Sequence, residues 1–351
     1  MKQAPIPCLR QIFRHLRPSG SSVQARPSST RRRARSVVWQ FPLTFFLGLL
    51  LVWSGADILC PELSDPDYLV RRDLLRDRVK EHPHARLMVV LGSSRTAFGF
   101  LPESLPQSTD PSTPPTVWFN MAHYGAGPAF NRVILDRLLR DGIRPDVAVI
   151  ELMPPFVARE NPRFVGPHLS SRELLLASTY LPTRRTAWHL VRHRFVKFAN
   201  LRQVFDPDSA STNPGPLGGP LRLEETITAE DRTQRLAGQH LLHGPAIRAM
   251  TVDPSADRAI RDTLQQCREW GITPVLLLAP EGSSFRSWYD PGGLRQFETY
   301  LNNLAREHRV QLVDARTWLS DEDFLDGHHQ LHCGAIQFTA RLVREVTAQQ
   351  Q

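Results

Sequence analysis

Apolar positions along the chain follow two patterns. Five short runs, at residues 87–91, 117–119, 147–150, 274–278 and 310–313, are apolar at nearly every position. The longer stretches between them repeat their apolar residues every three or four positions. Residues 130–141 place Val133, Ile134, Leu138 and Leu139 on one helical face, and residues 256–270 have the same character. A strand apolar throughout is buried on both sides, and strands separated by helices run parallel. The pattern predicts an α/β fold with a doubly wound, five-stranded parallel sheet over residues 85–351. Ahead of it, Asp65-Pro66 reads as a helix cap followed by proline in the first turn, with Leu69, Val70, Leu74, Leu75 and Val79 as the apolar stripe and Pro83 as the stop. Residues 57–84 are therefore expected to be a connecting helix and linker.

Two segments break the alternation. Residues 170–205 look helical and basic, with Arg184, Arg185, Arg192, His193, Arg194 and Lys197, and residues 206–220 are rich in Pro, Gly and Ser. Residues 160–245 are read as a helical insertion between the third and fourth strands rather than as a second domain. No internal repeat is visible.

Charge changes the picture at the N-terminus. The chain carries a net charge of +8, but Lys2 and eight arginines within residues 1–36 stand without one acid, so the remainder is nearly neutral. A neutral body with a basic tail is not the footprint of a nucleic-acid-binding domain. The basic tail is followed at residues 37–56 by twenty uncharged positions, which as a helix would span about 30 Å. Arginines before this run and Asp57, Glu62 and Asp65 after it predict one transmembrane helix with residues 1–36 in the cytoplasm and the body outside the cell membrane. The alternative is an exported chain cleaved near Ser54-Gly55-Ala56, and a third reading is a buried core helix. Cys8, Cys60, Cys267 and Cys333 have neither CxxC nor metal-type spacing, so no disulfide framework is expected, and no cofactor is called for.

Ligands of open parallel sheets bind beyond the carboxyl ends of the strands. After the first run stands Gly92-Ser93-Ser94-Arg95-Thr96, in which glycine permits a tight exit turn and a hydroxyl opens the next helix. Taken alone this is an ordinary serine cap. Near the other end, in Asp326-Gly327-His328-His329, a carboxylate stands three residues before a histidine, with a glycine that lets it turn back onto the imidazole.

Together these blocks resemble the SGNH (GDSL-like) hydrolase superfamily, closest to its membrane-tethered branches, the polysaccharide O-acetyltransferase relatives and DltD-like proteins. The resemblance implies an SGNH or flavodoxin-like sheet and a catalytic set of Ser94, Asp326 and His329, with Gly92 in the first block. In the second block, residues 119–125, it implies Asn120 or a backbone N–H near Gly125 as oxyanion donor. The third block departs: Glu151-Leu152-Met153-Pro154-Pro155 stands where the family has G-x-N-D, and an asparagine donor is lost. Arg95 is either a surface charge or a contact for an anionic substrate group. His328 and His332 would share a face if their segment were helical and could then bind a metal, but Gly327 argues for a loop, and no metal is expected. His328 is expected to point away from the site. Residues 280–284 are expected to border the pocket.

The function implied is an extracytoplasmic serine esterase or O-acyltransferase working on acyl groups of cell-envelope or exported polysaccharide, or on a small ester. The other reading is a non-catalytic SGNH-like module that binds glycan or an envelope-assembly partner. Nucleic acid is not an expected partner.

Overall fold

The computed structural model describes residues 40–52, 55, 65–106, 115–159, 166–180, 214–220, 223–248 and 250–349. The chain divides into two units, residues 1–55 and residues 56–351. In the first, residues 40–52 are helical, and Phe41, Leu43, Phe45, Phe46, Leu47, Leu50, Leu51 and Val52 are exposed. Residues 37–39, 53, 54 and 56 of the predicted crossing lie outside the described residues, and no described helix is long and apolar enough to span a membrane.

In the second unit the five apolar runs form β1 (Arg86–Leu91), β2 (Thr116–Asn120), β3 (Val147–Glu151), β4 (Thr273–Leu278) and β5 (Gln311–Asp314). All pairings are parallel and the order is β2-β1-β3-β4-β5. The helices are α1 (Pro66–Glu81), α2 (Ser94–Gly99), α3 (Pro128–Arg140), α4 (Pro154–Ala158), α5 (Ser171–Ser178), α6 (Ala229–Arg248), α7 (Pro254–Glu269), α8 (Ser283–Arg286), α9 (Pro291–His308) and α10 (His332–Ala348). The segment after Gly327 is a loop, as its glycine suggests, and α10 begins at His332.

Side chains alternate across a strand, and the two faces have different partners. Val89, Leu91, Phe119, Ile150 and Leu276 share one core with Phe130 and Leu138 of α3, Ile260 and Leu264 of α7 and Leu301 of α9. Met88, Val90, Trp118, Val149 and Leu277 share the other with Phe338, Leu342 and Val346 of α10. Burying each such side chain contributes about 1.5–3 kcal/mol, so the sheet is a stiff platform for the loops at its carboxyl edge. The chain moves from β1 outward to β2, then back past β1 to β3. The carboxyl ends of β1 and β3 therefore flank the switch point where this kind of sheet opens a crevice.

The segment read as an insertion is described only in part. Of the predicted helical and basic stretch, residues 170–205, the start is described as α5, while residues 181–205, with Arg184, Arg185, Arg192, His193, Arg194 and Lys197, lie outside the described residues. The 20-residue α6 in its second half escaped the sequence pattern, because its apolar positions do not form a single stripe.

Candidate active site

The site begins at the exit of β1. Ser93 caps α2 by accepting a hydrogen bond from the Arg95 N–H at 3.2 Å, which makes Ser94 the first residue of the helix. Gly92 is required by crowding: a Cβ there would lie 2.7 Å from the Cβ of Glu151. Its carbonyl accepts from the His123 N–H at 2.8 Å, tying the exit of β1 to the loop after β2.

The C-terminal loop turns tightly at Gly327, whose φ of +89° strongly favours glycine. The Leu325 N–H closes the turn on the His329 carbonyl at 2.8 Å, and Asp326 folds back to accept from the His329 N–H at 2.9 Å. The same carboxylate lies 2.7 Å from Nδ1 of His329, and Nε2 of that ring lies 2.8 Å from Oγ of Ser94. An ionised carboxylate only accepts, so Nδ1 carries the ring proton and Nε2 is the acceptor for the Ser94 hydroxyl. Burial pushes the Asp326 carboxyl up, but the hydrogen bond from His329 pulls it further down, to well below the usual carboxylate range. The structure thus brings Ser94, His329 and Asp326 into one chain of hydrogen bonds, with Ser94 partly open to solvent.

Other predicted site residues have different tasks. The amide group of Asn120 is fully buried and donates to the carbonyls of Thr96 and Phe100 at 3.1 and 2.7 Å, so it braces the end of α2 and is not free to face an oxyanion. Arg95 is completely buried, so it is neither a surface charge nor a contact open to substrate. Its guanidinium donates to Glu281 at 3.1 Å and to the carbonyls of Ala279 and Pro280, stitching α2 to the exit of β4. Gly125 sits in the partly exposed loop after β2 with φ of +70°. His328 does not point outward. It is buried against Phe285 and His243, with its ring 4.1 Å from that of His329. Burial keeps both buried neighbours uncharged: His328 falls well below the normal range and His243 falls to about 4.

Three participants were given no part in the site by the sequence. Glu151, at the end of β3, accepts from the Ser93 N–H at 2.6 Å, from the Ser93 hydroxyl and from the Thr96 hydroxyl, so its carboxylate grips the turn that presents Ser94. Gln239 of α6 donates to Asp326 at 3.0 Å. Phe98 lies edge-on to the His329 ring at 5.6 Å and packs on Tyr124. Position 151 could have been suspected, since a charged residue closing an apolar strand demands a partner; Gln239 carries no such signal.

A profile of the family described as a protein of unknown function (DUF1574) matches residues 49–173, and a second family profile matches residues 251–351. A search of curated proteins finds no significant sequence match. Among solved structures the chain is similar to a candidate acylhydrolase from Bacteroides fragilis NCTC 9343, at 12% identity and a TM-score of 0.36, over 77% of this chain and 94% of the other. At that TM-score the likeness carries no argument about function.

Proposed function

We propose that this chain is a serine esterase or acyltransferase of the SGNH type, working through an acyl-Ser94 intermediate. The observation that carries the reading is the unbroken path from Ser94 Oγ through His329 to Asp326 at the sheet's switch point. Ser94 Oγ attacks the acyl carbonyl as its proton passes to His329 Nε2. The imidazolium then protonates the departing alcohol, leaving the acyl group on Ser94. Water or a sugar hydroxyl next attacks the acyl-enzyme, yielding its own proton to His329, and Ser94 is released. Asp326 stays ionised throughout and holds the tautomer. With Asn120 engaged elsewhere, the oxyanion donors are backbone N–H groups of Ser94 and Gly125. Loss of one donor typically costs about 10²–10³ in rate, so turnover is expected to be slow unless these backbone groups compensate. The test is a fluorophosphonate probe on the purified full chain: covalent labelling blocked by a competing ester supports the reading. A folded protein that stays unlabelled favours the non-catalytic glycan-binding or assembly module, for which the substitution of Glu151 for the family's asparagine block speaks.

Glu151 acts through the serine turn rather than on substrate. In Glu151→Gln one carboxylate oxygen becomes a donor, so the Ser93 N–H and Thr96 hydroxyl lose an acceptor and Arg95 loses a countercharge 3.7 Å away. The labelling rate at saturating probe is expected to fall about 10-fold or more, since misplacing a reacting group by about 1 Å can cost 10². The half-saturating probe concentration should barely change, and an unchanged labelling rate would remove Glu151 from the machinery.

The basic tail, the uncharged run and the exposed apolar side chains of residues 40–52 support a tether at the membrane, with the body outside and acyl groups of envelope or exported glycan as substrates. Protease added to spheroplasts should then digest the chain beyond residue 60. Protection of that region reverses the topology.

A further inference from the structure

A second cluster stands apart from the Ser94 chain of hydrogen bonds. Asp65 caps α1, His123 lies in the loop after β2, and His168 ends the short 3-10 turn Gly166–His168. Oδ1 of Asp65 lies 3.7 Å from Nε2 of His123 and 3.5 Å from Nδ1 of His168, and one candidate ligand atom from each of the three residues lies within 4.8 Å of the other two. Asp65 and His123 are more than nine-tenths buried, while His168 is partly open to solvent. His123 Nδ1 is 3.0 Å from the Tyr124 carbonyl. Only an N–H can face a carbonyl, so in the neutral ring the proton is on Nδ1 and the Nε2 lone pair is aimed at the Asp65 carboxylate. That Nε2 is buried and has no hydrogen-bond partner among the described residues.

Oδ1 of Asp65 already accepts the Tyr68 N–H at 3.2 Å and Arg137 balances the carboxylate, so the group left without a partner is the buried lone pair of His123 Nε2, which a cation shared with Oδ1 and His168 would satisfy. A proton on the imidazoles would draw the groups to about 2.7–2.9 Å, the length of a charge-assisted hydrogen bond. The observed gaps are longer. At 3.5 and 3.7 Å they exceed by a few tenths of an ångström the ~3.3 Å edge of a tetrahedron with metal bonds of about 2.0–2.1 Å, a distance that a small movement of the partly exposed His168 would close. The surroundings also suit a metal. The ligating face of His123 is set by a backbone carbonyl on its other nitrogen. Asp65 is oriented by Arg137, which donates to Oδ2 at 2.6 Å and is itself paired with Glu173 at 2.7 Å.

We propose that Asp65, His123 and His168 bind a divalent transition-metal ion of the zinc class, with the fourth position left to water. Two imidazoles and one carboxylate favour such an ion over calcium or magnesium, which take oxygen ligands. The ion joins the start of α1, the loop after β2 and the turn before α5. His123 is next in sequence to Tyr124, which packs on Phe98 beside His329, so the metal stiffens the loop carrying Gly125. The proposal stands on its own geometry, whatever chemistry Ser94 performs.

The experiment uses the full chain, purified without a histidine tag and stripped with chelator, then titrated with Co²⁺ and followed by visible absorbance. One equivalent should bind with the bands of a low-symmetry site, and Zn²⁺ should displace it. His168→Ala, at a partly exposed position that puts folding at little risk, and His123→Ala should each weaken binding at least about 10-fold, as loss of a metal partner does. His328→Ala and His329→Ala should bind as the parent does. Added Zn²⁺ should raise the melting temperature of the parent and leave that of His168→Ala unmoved. Absence of the bands overturns the proposal, as does binding indifferent to His168→Ala and His123→Ala, or binding lost instead in His329→Ala.

Discussion

Ser94→Ala is expected to abolish fluorophosphonate labelling and to take ester turnover down to background, while the melting temperature stays within a degree or two of the parent. The expectation follows from position. Ser94 is the first residue of α2, is partly exposed and gives its hydroxyl to His329, whereas the fold depends on its neighbours. Ser93→Ala is the sharp control. Ser93 is buried, caps α2 and binds Glu151, so its loss should lower stability by about 1 kcal/mol through the missing cap, with labelling reduced but present. Labelling that survives Ser94→Ala and disappears in Ser93→Ala would show that the nucleophile is one residue earlier. Labelling that survives both would end the acyl-serine reading.

Asp326→Asn is expected to lower the rate about 10⁴-fold without unfolding the chain, as loss of the orienting carboxylate does in hydroxyl–imidazole–carboxylate systems. An asparagine can still accept from the His329 N–H through its carbonyl oxygen, preserving the tight turn. If its amide then faces Nδ1, that nitrogen must accept and the ring proton moves to Nε2, where it blocks transfer from Ser94. His329→Ala should be at least as damaging. His328→Ala should act differently. His328 fills a buried cage with Phe285 and His243 and makes no bond to Ser94, so its removal should cost mainly stability, on the order of 2 kcal/mol or more by analogy with other large-to-small core changes. Circular dichroism melts beside steady-state rates would separate the two behaviours. A small rate effect in Asp326→Asn would mean that the hydrogen bonds around Ser94 serve the fold alone.

Strand positions and their parallel direction, though not their order in the sheet, were legible along the chain because a strand buried on both faces must be apolar at consecutive positions, a local property. So were the cap at Asp65 and the turn at Gly327, which depend on one or two residues and a backbone angle. The Gly92-Ser93-Ser94 and Asp326-Gly327-His328-His329 blocks, each at an edge of a secondary element, made Ser94, Asp326 and His329 candidates only through the family they resemble. What those three do to one another was not legible, since Ser94 and His329 are 235 residues apart and meet only because β1 and the loop before α10 end on the same side of the sheet.

The same limit explains the departures. Arg95 looked like a free cation because its countercharge, Glu281, lies 186 positions away. Asn120 looked like an oxyanion donor because its residue type fits, but the carbonyls at the end of α2 take its amide once β1 and β2 pair. Glu151 read as a lost asparagine, and only the contact between β3 and the β1 exit turns it into the clamp on the serine turn. Sequence by itself determined which segments are strands, where the turns tighten and which residue types stand at the edges. Tertiary structure alone decided which polar groups are consumed by the scaffold and which remain for chemistry, because a buried hydrogen bond belongs to whichever partner the packing brings within about 3 Å.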